Sequence, residues 1–195
     1  MERKYSDVVD PSLYDTDGLF EGIPVLVHRN QDLADRGCLR AQKDWKRQFG
    51  TLDPGFVGSM GPEYNFVSTW FCETLPDRIE LVGYMNEMAF LFDDMVDAAE
   101  SPAAVFAPFI ADLVQVYRVV MEGGDINNLN LSGSPISRIV VDTTKAMLAV
   151  DPEQTKTGYR HLERWGHAFL SRASNPDFQD FDDYLEYRLV NVSSG

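Results

Sequence analysis

Between residues 79 and 92 the chain is apolar on almost every side of a helical wheel, and the run closes on Asp93-Asp94-Met95-Val96-Asp97. Ile79, Leu81, Val82, Tyr84, Met85, Met88, Ala89, Phe90, Leu91 and Phe92 leave no broad polar face. A helix of that kind is stable only when other helices surround it. Pro76 and Asp77 suit its first turn, because proline lacks the amide hydrogen that would be left unpaired and aspartate meets the positive end of the helix dipole. The helix is therefore expected to start near Pro76 and to run past Asp97.

The rest of the chain supplies the neighbours. Helical rather than alternating periodicity predicts helices over 32–48, ended by Gly50, and over 102–121, 135–150, 152–171 and 178–192. The opening, with Pro11, Gly18, Gly22 and Pro24, reads as irregular, and 122–134 as a polar loop. The glycines of 55–61 lack the order of a dinucleotide or phosphate-binding loop and have no strand before them, so this stretch reads as a plain loop. The expected class is all-α, one domain over 1–195 without a convincing internal boundary. Arg36, Arg40, Lys43 and Arg47 recur at spacings of four, three and four, which places them on one helix face, either solvated or used for docking.

Charge narrows the partners. A formal net charge of −14 over 195 residues is the wrong sign for wrapping a nucleic-acid backbone. A phosphate-bearing ligand stays compatible with such a chain if bound cations invert the local field. Cys38 and Cys72 form neither a C-x-x-C pair nor a disulfide framework, which suits a reducing, cytoplasmic setting. Behind Glu2, Arg3 and Lys4 there is no apolar stretch of a secretory signal, and no run of about 20 consecutive apolar residues predicts a membrane span. His28, His161 and His167 share no metal-ligand spacing, and no G-x-S-x-G or cysteine–histidine signature is present.

The acidic cluster is where chemistry is expected. Asp93 and Asp97 lie one helical turn apart and point the same way, a repulsion of roughly 0.2–0.5 kcal/mol that grows with desolvation. Both sit at a helix C-terminus, where the dipole also disfavours anions. A bound cation relieves both effects, and oxygen ligands with room for water and phosphate suit Mg2+. The plain alternative is a solvated acidic helix end. Phe90, Leu91, Phe92, Met95 and Val96 around the carboxylates favour a cavity, with at least Asp93 and Asp97 opening into it. Phe66, Trp70, Phe71 and Phe90 read either as plain core or as an aromatic wall whose ring faces attract cations by about 0.5–2 kcal/mol each.

In order along the chain, several stretches carry a resemblance. They are Lys4-Tyr5-Ser6-Asp7-Val8-Val9, Asp35-Arg36-Gly37, Asp44-Trp45, Leu75-Pro76-Asp77-Arg78-Ile79-Glu80, Asn86-Glu87-Met88-Ala89-Phe90-Leu91-Phe92-Asp93-Asp94 and 183–192. Together they resemble the N-terminal cyclase domain of the fungal bifunctional terpene synthases. The resemblance implies a class I terpenoid synthase helical bundle, a lyase of secondary metabolism that ionises a prenyl diphosphate with Mg2+ and cyclises the cation. Geranylgeranyl diphosphate is the implied substrate and a polycyclic diterpene the implied product. It further implies Asp93 as principal metal ligand with Asp94 and Asp97 beside it, and Arg188 as a donor to the diphosphate. Asn191 and Val192 would lie where such enzymes break a helix toward the substrate, and Phe66, Trp70 and Phe90 would line the pocket. Full-length relatives carry a prenyltransferase domain as well.

Such cyclases also use a second metal motif, N-D-x-x-S-x-x-x-E, downstream of the arginine, whereas this chain closes on Ser193-Ser194-Gly195. The expectation is thus a bundle incomplete at its C-terminus and a chain inclined to self-associate as a homo-oligomer. Two other readings stand beside it. A chain-elongating prenyltransferase would use Asp182-Asp183-Tyr184-Leu185-Glu186 as a second acidic motif facing the first, and a non-catalytic helical interaction module would use neither. Incubated with Mg2+ and geranylgeranyl diphosphate, the 195-residue chain is expected to release no cyclised hydrocarbon above a no-protein control by gas chromatography. A cyclic product would show that the downstream motif is dispensable or supplied by another chain, and that the assigned site is incomplete.

Overall fold

The computed structural model describes residues 3–15, 17–18, 21–129, 131, 133–170 and 178–192, and of 102–103, 162–170 and 187–192 it describes the backbone alone. Two compact units divide the chain between Asp97 and Ala98, a division that the turn and proline pattern does not announce. The first contains strands β1 (Ser6–Val8) and β2 (Leu26–His28) and helices α1 (Gln31–Phe49), α2 (Phe66–Trp70) and α3 (Ile79–Asp97). The second contains α4 (Pro102–Glu122), α5 (Pro135–Val150), α6 (Pro152–Leu170) and α7 (Phe181–Val192).

Small residues decide how the first unit packs. Along α1 the buried positions are Ala34, Gly37, Cys38, Ala41 and Trp45, a stripe at helical spacing with little side chain until its last turn. Helix α3 lies directly against this stripe. A Cβ on Gly37 would stand 2.0 Å from the Glu80 carbonyl oxygen, and one on Gly83 2.6 Å from that of Ala34. The backbones meet with no side chain between them, and Cys38 Sγ reaches the Gly83 carbonyl oxygen at 3.5 Å. Burial pushes the Cys38 thiol up to about 11. Around the contact Ile79 and Val67 complete an apolar cluster. Gly50, at φ +81°, ends α1 by returning its N–H to the Lys46 carbonyl at 2.9 Å.

The basic face of α1 is partly spent inside this unit. Arg36 and Arg40 reach Glu80 of α3 at 3.3 and 3.8 Å, Arg40 also stands 4.6 Å over the Tyr84 ring, and Arg47 pairs with Asp44 at 2.9 Å. Exposed pairs of this kind contribute about 0–1 kcal/mol each. The two contacts to Glu80 tie α1 to α3, whereas the Arg47–Asp44 pair stays within α1.

Where the sequence suggests an irregular opening, the structure has an antiparallel pair, with Ser6 opposite His28 and Val8 opposite Leu26. A side chain far along the chain holds it. The Glu73 carboxylate accepts the N–H groups of Lys4 and Ser6 at 3.0 and 3.1 Å and the Ser6 hydroxyl. The Ser6 hydroxyl first, and then these amides, hold the carboxyl below its ordinary pKa. His28 is a core residue: its Nδ1 accepts the Asn30 N–H and its Nε2 donates to the Thr74 carbonyl, both at 2.9 Å. A second difference is the start of α3, which becomes regular at Ile79, after a turn in which the Arg78 N–H bonds the Leu75 carbonyl at 2.9 Å.

In the second unit α4 buries Phe106, Ile110, Leu113, Val116 and Val120, a stripe at spacings of three and four, and packs with α5 and α6. By length and apolarity α4 alone among the described helices could cross a membrane. That stripe is covered within the unit, and its buried Asp112 accepts the Ser137 hydroxyl of α5. Thr144 of α5 and Tyr159 of α6 share a hydroxyl–hydroxyl bond, and burial pushes the Tyr159 phenol up to about 12. The polar stretch after α4 is tethered by a short 3-10 turn, Ile126–Asn128, whose Ile126 is buried.

Two glycine substitutions of opposite sign test the helix contact. Gly83→Ala places a methyl group against the Ala34 carbonyl and is expected to cost about 2–3 kcal/mol as overpacking. Gly158→Ala, in α6 with open space around it, is expected to gain about 0.5–1 kcal/mol from helix propensity. Urea titration of both variants reads the difference, and equal midpoints would refute the close crossing.

Candidate metal and substrate site

Helix α3 separates its last residues by face. Leu91, Phe92 and Val96 are buried, while Asp93, Asp94 and Asp97 are exposed. Met85, Ala89, Asp93 and Asp97 follow one another at steps of four along the face that α1 leaves uncovered. Among the described residues none of the three aspartates makes a hydrogen bond or an ion pair. Partial burial first, then Asp97 and then Asp94, raise the Asp93 carboxyl above its ordinary pKa. This is a surplus of negative charge that the first unit itself leaves uncompensated.

The expected cavity is present, but it is placed differently. Asp93 and Asp97 do not open into it; Asp94 does, with Phe90 one turn before. The reason is angular: Asp94 falls on the side of α3 that faces the loop after α1, and Asp93 with Asp97 on the side next to it. The cavity, of about 360 Å³, is closed on its other side by Asp53, Gly55, Phe56, Val57 and Gly58. Those loop residues are absent from the sequence-based site.

Loop and helix are fastened together just behind the cavity. Glu87, fully buried on α3, accepts the Ser59 N–H at 2.7 Å through Oε2 and Gln42 Nε2 of α1 at 2.6 Å through Oε1. Asn86 Nδ2 donates to Ser59 Oγ at 2.9 Å. Gly58, at φ +56°, lies so close that a Cβ there would meet the two Glu87 oxygens at 2.4 and 2.7 Å. One signal for this cluster is visible in the sequence. Glu87 is the single charged residue between Glu80 and Asp93 of an otherwise apolar helix.

The aromatic residues do come together. Phe66 stacks on Trp70 with ring centroids 5.5 Å apart, and stands 5.7 Å from Phe90 at 59°. Trp70 is 71% exposed and Phe66 38%, so the ladder is an open surface ending beside the acidic cluster rather than closed core. Asn65 sets its position by capping α2, with Oδ1 accepting the Val67 N–H at 2.7 Å, while its Nδ2 bonds Asp35 of α1 at 3.1 Å.

Among the described residues no group of three histidine, cysteine or acidic side chains is placed to hold a metal ion by itself. Asp93 and Asp97 instead offer an open, oxygen-only pair with an uncompensated neighbour, which fits a hard ion that keeps water and borrows phosphate ligands. Arg188, Asn191 and Val192 belong to α7 in the second unit, and their side chains lie outside the described residues. At the start of the same helix Asp180 Oδ1 accepts the Asp183 N–H at 2.9 Å and Asp183 Oδ2 accepts the Gln179 N–H at 3.3 Å. Asp183 thereby acts as a capping residue, which weakens the reading of 182–186 as a second metal motif.

No family model matches the chain. Individual proteins do. It is 36% identical to phomopsene synthase of Phomopsis amygdali over all of its own length and 26% of that protein's. Fusicoccadiene synthase of the same organism is 34% identical over 98% of the chain and 27% of the relative. A bifunctional sesterterpene synthase of Aspergillus aculeatus is 35% identical over 98% and 26%. The chain spans about a quarter of the length of these relatives. Matched in this way along almost all of its own length, the chain has fungal terpene synthases as its homologues, a bifunctional sesterterpene synthase among them.

Proposed function

We propose that the chain carries the first metal-binding wall of a class I terpene cyclase, acting on a prenyl diphosphate of geranylgeranyl length. The observation that carries this reading is the uncompensated Asp93, Asp94 and Asp97 one turn beyond Phe90, at the end of the aromatic ladder Trp70–Phe66–Phe90. Asp93 with Asp97, and Asp94 beside them, would hold Mg2+. That ion supplies positive charge to the departing diphosphate.

The chain's own residues account for the other parts of the chemistry. The carbon–oxygen bond of the substrate breaks with its electron pair leaving on the diphosphate, and an allylic cation remains. Ring faces such as those of Phe66, Trp70 and Phe90 attract that cation and give it no lone pair to add. The resemblance adds Arg188 as a donor that would form charge-assisted hydrogen bonds to the diphosphate, with Asn191 and Val192 as residues that would border the substrate. Attack of the substrate's own double bonds on the cation closes the rings, and loss of a proton ends the reaction. The same reading gives the whole protein a cytoplasmic setting, a prenyltransferase domain that makes the substrate, and association between copies.

Two measurements test the metal assignment in the 195-residue chain. Without metal, Asp93→Asn removes a like charge one turn from Asp97 and is expected to raise the melting temperature by about 1 °C, from roughly 0.2–0.5 kcal/mol of relieved repulsion. With Mg2+ and inorganic diphosphate, calorimetry is expected to show Mg2+-dependent binding to the wild-type chain and at least a tenfold loss in Asp93→Asn. Equal affinities would reject Asp93 as a ligand.

A further inference from the structure

We propose that Glu87 is a positioning residue for this site: through Ser59 and Gly58 it holds the 53–59 loop as the wall opposite Phe90 and Asp94. The inference rests on the functional reading above and deepens it, since it names what fixes the second side of the cavity. Glu87 lies two helical turns before Asp94 and so shares its face of α3. It is fully buried, yet neither oxygen serves α3 itself: one takes the Gln42 amide of α1 at 2.6 Å and the other the Ser59 N–H of the loop at 2.7 Å.

The loop is pressed onto this carboxylate rather than merely near it. Gly58 has no room for a methyl group, because the Glu87 oxygens occupy the space at 2.4 and 2.7 Å, and Asn86 adds a second bond to Ser59 at 2.9 Å. The residues just before this anchor, Asp53, Gly55, Phe56 and Val57, are the ones that line the cavity. Within the loop, the Gly55 N–H bonds Asp53 Oδ1 at 2.7 Å and the Phe56 N–H bonds the Asp53 carbonyl at 3.0 Å, so the segment is a tight turn that moves as a unit. Releasing Ser59 therefore lets the whole wall shift away from Asp94. Burying a carboxylate is costly unless its bonds are made, and here they are made to the two elements that flank the cavity helix.

The test uses the full chain with Mg2+ and inorganic diphosphate as the probe, together with hydrogen exchange. Glu87→Ala is expected to raise exchange at residues 55–59 at least tenfold while α1 and α3 keep wild-type protection, and to weaken diphosphate binding at least fivefold. Glu87→Gln is expected to restore both to within twofold, because its amide oxygen still accepts the Ser59 N–H and its NH₂ donates to Gln42 once that amide turns over. Gly58→Ala leaves the carboxylate in place and pushes the loop away from it, so it is expected to copy Glu87→Ala and decides the matter if Glu87→Ala loses the helices too. Wild-type binding that both Glu87→Ala and Gly58→Ala leave unchanged overturns this inference alone. Absence of diphosphate binding by the wild-type chain overturns the proposed function and the inference together.

Discussion

The direct backbone contact between α1 and α3 is the constraint on which the rest of the first unit depends. Two helices carrying ordinary side chains pack 8–10 Å apart; a glycine on each side removes the spacer and lets the carbonyl oxygens of Glu80 and Ala34 stand where methyl groups would be. Because α3 is fixed along one line by Ala34, Gly37, Cys38 and Ala41, its rotation about its own axis is fixed as well. Rotation is what matters for the site. A turn of α3 by one residue, about 100°, would bury Asp93 or Asp94 against α1 and lift Leu91 or Phe92 into water. The hydrophobic cost of that exchange, at about 1.5–3 kcal/mol for each large side chain, holds the aspartates outward.

The same geometry explains the lining of the cavity. The α3 face next to the α1 contact carries Glu87, Phe90 and Asp94, and the chain leaving α1 at Gly50 folds back across it as the 51–61 loop. Its glycines are used for closeness. Gly61 sits where a Cβ would meet the Tyr64 carbonyl at 2.2 Å, and Gly58 where it would meet Glu87. A loop without any phosphate-binding order is therefore still a defined wall, because its glycines accommodate the protein rather than a nucleotide.

How much of this the sequence carries depends on the kind of signal. Helix positions were legible from periodicity and from proline at helix starts: the reading of 135–150 matches Pro135–Val150, and 32–48 falls within Gln31–Phe49. The acidic cluster and the aromatic residues were legible as a local pattern, and the ordered resemblance pointed to terpene synthases that the whole-length matches bear out. The hairpin was not, because three-residue strands give too short an alternation and this one is held by Glu73, 67 residues beyond Ser6. Nor was the face of α3 on which each aspartate falls. Periodicity shows that the helix is buried on most sides but not which neighbour covers each side, and the side Asp94 takes is set by a loop whose course no local pattern encodes.

Within one helix, carboxylates are thus treated in two opposite ways. Glu87 has its charge answered by donors from α1 and from the loop, and lies wholly out of water. Asp93, six residues on, has no such donors among the described residues, and partial burial first, then Asp97 and Asp94, raise its pKa. Protein donors satisfy a carboxylate permanently and make it a structural part; a carboxylate left unanswered keeps its lone pairs for a ligand that comes and goes. The distinction follows from the packing, since donors from α1 and the loop reach α3 at Glu87 and stop short of its last turn. What makes the end of α3 a candidate metal site is therefore less the presence of three aspartates than the absence, among the described residues, of anything else to neutralise them.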